Sequence, residues 1–260
     1  MKQIAIFLFL CFGTFSALAQ MNSEYNYFSI KAGAVHSIFH PTPEGYAQKV
    51  LENGEGDAYL VSPVKRLIAY VPGYYGSFLF NHDFRNDNLG ASLGIEYKSY
   101  GISAKYETAD KEMNVIEQHN VSQLSIPFYI KYGRRFYDPQ RYFYFGGSIN
   151  YNIFATKTEK VSFTEVSRMT KIPGERLRKL NFSALVGFNY MFFHLEVNYM
   201  FGNFLSRGYM ETLPNNEHVK PYEGQPKGSW LIRTGLTIPL NSWTSRKWYG
   251  FETWVRRLLK

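Results

Sequence analysis

The stretch Val121–Ile153, VSQLSIPFYIKYGRRFYDPQRYFYFGGSINYNI, decides the fold. Leu124, Ile126, Phe128, Ile130 and Tyr132 take every second position, with Gln123, Ser125, Pro127, Tyr129 and Lys131 between them. Side chains two apart share one face of an extended strand, so this alternation predicts a strand with an apolar and a more polar side. It breaks over Arg134–Arg141, where Asp138, Pro139 and Gln140 mark a turn. It resumes with Phe143, Phe145, Gly147, Ile149, Tyr151 and Ile153 against Tyr144, Gly146, Ser148, Asn150 and Asn152. Such a hairpin needs a large apolar surface to lean on, either a protein core or lipid.

The same rhythm runs outward in both directions. Before the hairpin lie extended runs over Tyr25–Phe39, Leu67–Phe80 and Leu89–Lys98; after it come Leu180–Tyr190, His194–Gly202 and Ser229–Leu240. Only Leu67–Phe80, Tyr- and Gly-rich throughout, does not separate into two faces. The connections alternate: His40–Arg66, Glu107–Asn120, Thr156–Lys179 and Leu205–Gly228 are long and polar, whereas Asn81–Asn88, Arg134–Arg141 and Met191–Phe193 are short. In an up-and-down sheet this collects the long loops at one rim and the short turns at the other. Eight antiparallel strands of about nine to eleven residues or more, arranged so, are the pattern of an outer-membrane barrel.

Composition agrees. Aromatic residues are 18% of the 260, mean hydropathy is −0.29, and the formal net charge is +8. The basic excess is spread along the chain, with no run of about five or more like charges to form a nucleic-acid arm. No apolar run after residue 20 is long enough for a helical span. Lys2, the apolar Ile4–Phe12 and Ala17-Leu18-Ala19 before Gln20 form a three-part signal peptide, expected over 1–19 and removed on export. The one cysteine, Cys11, lies within it, so a barrel domain over 20–240 and a tail over 241–260 are expected without disulfides.

A soluble lipocalin-like barrel also alternates, but it turns its apolar face inward and presents dense charge to water. Here the polar faces are mostly Gly, Ser, Asn and Thr, which suit a narrow filled interior, while the apolar faces carry Phe, Tyr and Trp suited to membrane interfaces. LSIPFYIKY at Leu124–Tyr132 resembles the "lPlllKy" strand of the PorT-like outer-membrane β-barrel proteins, and YFYFGGSINY at Tyr142–Tyr151 resembles the aromatic-Gly strand that follows it. HLEVNYMFGNF at His194–Phe204 is similar to that family's penultimate strand. The resemblance implies a barrel and no catalytic residues. The family's namesake serves type IX secretion, and nothing in the loops or tail here extends that role.

Chemistry-bearing motifs are sparse. His36 and His40 are four apart on a strand and its exit, and His82, His119, His194 and His218 fall near turns or loops, so surface or interfacial histidines are expected rather than metal ligands. Gly73 and Gly146-Gly147 precede no helix and read as packing glycines. No nucleophile–base pairing is visible, and no enzymatic activity, metal or cofactor is expected. Lys31, Glu96, Lys98, Lys131, Glu196 and Arg233 all fall on the lumen side, where isolated charges must pair. A network in which Glu96 and Glu196 are shared among the four cations, plugging the barrel, is the expectation. In the tail, Trp248, Phe251, Trp254 and Leu258 share a helical face opposite Arg256 and Arg257. That pattern suits a short amphipathic helix at the periplasmic leaflet, or one docked on a periplasmic or outer-membrane protein partner. The reading is thus an integral outer-membrane protein in contact with lipid, with a structural or accessory role, and no nucleic-acid partner. A narrow solute pore and a secreted ligand-binding barrel are the alternatives, with a membrane-embedded hydrolase a distant further one.

Overall fold

A strand whose outward face is wholly apolar has no use for an edge in lipid, and the sheet here has none. The computed structural model describes residues 26–39, 49–52, 58–64, 69–84, 88–108, 114–134, 141–161, 167–212, 218–220 and 228–240. Eight strands, β1 (Asn26–Phe39), β2 (Ala69–Asp83), β3 (Leu89–Glu107), β4 (Asn114–Arg134), β5 (Arg141–Val161), β6 (Leu180–Tyr190), β7 (Phe193–Met200) and β8 (Ser229–Pro239), pair antiparallel in chain order. The last then pairs with the first, from Ser29↔Pro239 to Ile38↔Trp230. This is the eight-stranded outer-membrane-type barrel the alternation predicts.

The register fixes its shape. The pairing Phe28, Phe80, Leu93, Phe128, Gly147, Ala184, Tyr199, Trp230 returns to β1 at Ile38, ten residues beyond its start (28 to 38). A stagger of that size in eight strands tilts them by about 40° and leaves an interior just wide enough for side chains. Being even, it also returns every outward position to an outward position. Ile30, Phe78, Phe128, Phe145, Val186, Leu195 and Leu236 are accordingly exposed around the waist, the reverse of a soluble barrel. Tyr74, Tyr132, Tyr151 and Trp230 stand exposed toward the two ends of that belt.

Several boundaries differ from the sequence reading. β3, β4 and β5 continue past the belt, so much of the loop expected over Glu107–Asn120 is strand, and residues Ser167–Ile172 fold back to pair with the end of β5. A hairpin of Lys49–Glu52 and Ala58–Pro63 occupies part of the first long loop. The turn expected at Asn81–Asn88 begins later, since β2 runs to Asp83. Tyr70, Tyr74 and Phe78 of β2 face out while Val71, Tyr75 and Leu79 face in; tyrosine on both sides is what hid its faces. In β5 the register to β4 shifts between Ser122 and Gln123, opposite Phe154 and Asn152, leaving Ile153 and Phe154 both exposed. This bulge inverts the alternation beyond it and turns Ala155 and Lys157 inward. The residues of the expected signal peptide and of the C-terminal helix lie outside the described residues; among the latter the one helical element is a 3-10 turn at Gly174–Arg176.

Closure depends on two glycines. Gly33 of β1 pairs with Gly235 of β8, and a Cβ on either would overlap the facing strand's backbone at the carbonyl of Thr234 or Ala32. Gly33→Val or Gly235→Val is therefore expected to prevent closure. The folded, fast-migrating form on unboiled gels should be lost, whereas Gly208→Val, at a site with open space around it, should retain it.

Candidate functional site

The strands place one charged layer at mid-height inside the barrel. Arg233, fully buried on β8, points its guanidinium between two carboxylates: Nη1 donates to Glu196 of β7 at 2.6 Å, and Nη2 donates to Glu96 of β3. Glu196 is its direct cross-strand neighbour, whereas Glu96 reaches it across the bore. Lys98 pairs with Glu96 at 3.4 Å and donates to Asn150 at 2.9 Å. Lys31 of β1 donates to Glu196 at 3.2 Å and to the Tyr144 hydroxyl at 3.0 Å, and that hydroxyl donates to Glu196 at 3.2 Å. Three cations and two carboxylates thus form one connected set. Each cation has a carboxylate beside it, which offsets part of the cost of burying it.

Aromatic rings fill the space that the charges leave. Arg233 lies over the Tyr75 ring at 4.0 Å and Lys31 over Tyr144 at 4.2 Å, so each cation faces a π surface as well as a carboxylate. Tyr144 fits because its β6 neighbour is Gly187, where a Cβ would overlap the phenol ring. His194, expected at the surface, is buried beside this layer: Tyr75 bonds its Nε2, and Thr237 its Nδ1 at 2.9 Å.

Lys131 does not join the set. It lies nearer the short-turn rim, where it donates to Asn81 at 2.6 Å and to Tyr27 at 3.1 Å, with Asp83 at 4.0 Å. Four of the expected cations therefore divide three to one. The missed partners, Asn81 and Asp83, read as turn residues because the strand outlasts its apolar pattern there.

Toward the long-loop rim the interior becomes apolar. Val35, Val71, Tyr100, Val121, Met200 and Leu231, all inward-facing, pack on Ile172 and Leu177 from one loop and Phe204 and Leu205 from the next. The two loop segments are stitched together: Arg178 N–H donates to the Phe204 carbonyl at 2.8 Å and Ser206 N–H to that of Arg176 at 2.9 Å. Above this layer, on the inner face of the extended β4 and β5, Glu117 meets His119 at 2.9 Å and Lys157 at 3.4 Å, and Lys157 meets Glu159 at 2.6 Å. His119 is buried rather than on the surface. Tyr106 is close by; burial first, and Glu159 second, hold its phenol above the ordinary tyrosine range. Nothing in the sequence pattern marks the apolar layer, since its loop half comes from polar-looking segments. The tail residues Trp248, Phe251, Trp254, Arg256, Arg257 and Leu258 lie outside the described residues.

No protein-family model and no curated protein matches the sequence. Among solved structures, the chain is similar to the outer membrane protease OmpT from Escherichia coli, at a TM-score of 0.29 and 10% identity, over 84% of this chain and 97% of that chain. That finding corrects the expectation that the protein is not an enzyme: a barrel in the outer membrane can house a protease, so a sequence without a recognisable nucleophile–base pair excludes no catalysis. A likeness of this degree assigns no activity to the chain.

Removing one member of the charged layer strands the others. Glu196→Ala leaves Lys31 with no carboxylate within salt-bridge distance and Arg233 with one, and should destabilise the barrel by about 3–5 kcal/mol. Glu96→Gln and Glu196→Gln, sharing Arg233, should combine non-additively by roughly 0.5–3 kcal/mol. Urea unfolding of the protein reconstituted in vesicles measures both; strict additivity would contradict the shared guanidinium.

Proposed function

We propose that this outer-membrane barrel works through its surfaces rather than its bore, as a structural or accessory protein with a side-chain-plugged lumen. The observation that carries this reading is the succession of two different barriers along the interior. The ion-paired layer at Glu96, Arg233 and Glu196 is one, and the apolar layer at Phe204 and Leu205 is the other. An ion crossing the first would displace paired charges, and crossing the second it would lose its water. The barrel type and the LSIPFYIKY strand also fit the PorT-like resemblance. That resemblance supports the architecture and leaves the role to be decided by the loops and tail.

Export with cleavage before Gln20, and attachment of residues 241–260 to the periplasmic leaflet or to a protein partner, belong to the same proposal. Their motivation is the three-part leader and the basic amphipathic pattern around Trp254 and Arg257.

Purified protein in planar bilayers is expected to show no sustained conductance steps. Arg233→Ala alone should stay closed, because the apolar layer remains. A stable open channel in the unmodified protein would overturn the plugged-barrel reading. Deleting residues 242–260 should leave the barrel assembled and release any co-purifying partner.

A further inference from the structure

We propose that the long-loop rim above β5 and β6, the rim an outer-membrane barrel turns to the cell exterior, is a docking surface for the phosphorylated headgroups of lipids in the outer leaflet. The chain between Ser167 and Lys179 carries Arg168, Lys171, Arg176, Arg178 and Lys179 against a single acid, Glu175. Register decides which way part of this charge faces. Beyond the β5 bulge the outward positions are Thr156, Thr158 and Lys160, and Lys171 pairs with Thr156 on that same outward side. Directly below, Ile153, Phe154, Leu180 and Phe182 are exposed to lipid. Lys171 therefore stands just past the apolar belt, at the depth where headgroups begin, with Lys160 four residues farther out along β5 than its partner Thr156.

The pairing of charges separates this rim from the barrel interior. Each inward cation, Lys31, Lys98, Lys131, Lys157 and Arg233, has a carboxylate within 4.0 Å. Lys160 and Lys171 on the outward face, and Arg178 and Lys179 at the mouth, where the Arg178 guanidinium lies by Gly202 and the Lys179 ammonium by Gly174, are exposed and have none within salt-bridge distance among the described residues. Exposed cations beside an apolar surface attract anionic lipid, which meets both at once: phosphate on the lysines and acyl chains on Phe154 and Phe182. The threonine hydroxyls of Thr156 and Thr158, on the same face, add donors for the headgroup. The loop itself is anchored, since Ile172 and Leu177 are packed in the barrel mouth, so little ordering is needed on binding.

The full-length protein in neutral detergent is titrated with diphosphorylated lipid A, with the same lipid after enzymatic dephosphorylation, and with inorganic phosphate, following intrinsic tryptophan fluorescence. Binding of the phosphorylated lipid should be favoured over the dephosphorylated form and weakened by salt. The variant K160A/K171A/R178A/K179A should lose affinity by at least about tenfold while keeping its heat-modifiable migration. K160R/K171R/R178K/K179R, which keeps the charge, should bind like the unmodified protein, and K160Q/K171Q/R178Q/K179Q, which removes it while keeping a long polar side chain, should lose affinity and stands in if the alanine variant does not fold. Equal affinity for the dephosphorylated lipid, or unchanged binding by the alanine variant, would overturn the proposal. Saturation by inorganic phosphate at the same concentrations would replace the lipid with a free anion and overturn it too.

Discussion

Within a hydrocarbon layer every backbone N–H and C=O must find its partner inside the protein, and a sheet satisfies that only by closing. Closure here occurs at the β1–β8 seam, where Gly33 and Gly235 face each other too closely for a side chain on either. The even stagger of the ring carries the same constraint to the side chains. A slip of one residue at the seam would turn one of its two strands over, placing Arg233 or Lys31 against lipid and Leu236 or Ile30 in the bore. A cation at the midplane of a barrel's lipid face costs roughly 2–4 kcal/mol, so the seam's register and the charged interior enforce each other.

Once the charges are inside, the bore is too narrow to hydrate them. Arg233 is the side chain that makes the arrangement possible, because its fork can bond Glu196 beside it and Glu96 across the bore together. Lysine at that position would present one point charge to two carboxylates on different walls. The tyrosines complete the layer as filler with a polar end: Tyr144 lies in the space that Gly187 leaves open and turns its hydroxyl to Lys31 and Glu196.

Most of the barrel is legible in the sequence because two-residue alternation survives wherever one face meets lipid. β4 and β5 read correctly through Val121–Ile153 for that reason. Legibility ends where lipid does. Beyond Lys98 and Ile153 the strands are no longer sorted by a bilayer, and polar residues such as Gln118 and Thr158 sit on their outward side, so they pass for loop. The lumen charges were readable as members of one face, but not their grouping. Glu96 and Arg233 lie on strands that never pair, and their meeting across the bore depends on the stagger, which no local pattern encodes. Asp83 was lost to the turn-like composition around it. His194 was lost because a histidine one residue past a turn looks exposed until Tyr75 and Thr237 are brought to it.

The apolar half of the interior links the barrel to its surface. Inward Val35, Val71, Val121 and Leu231 cannot be satisfied by lumen water or by neighbouring charges, so they require an apolar cover, and Ile172, Leu177, Phe204 and Leu205 supply it. Each such side chain gains about 1.5–3 kcal/mol on leaving water, enough together to hold two loops down against their conformational entropy. The backbone bonds between Arg178 and Phe204 and between Ser206 and Arg176 then fix one loop relative to the other. Segments that would otherwise wander over the mouth are thereby set at a defined height and rotation about the barrel axis. The cations of the rim inherit that position: Lys171 is held one residue from buried Ile172, and Arg178 one residue from buried Leu177. The packing that fills the barrel mouth is thus the packing that aims the surface, and a change in one should be felt in the other.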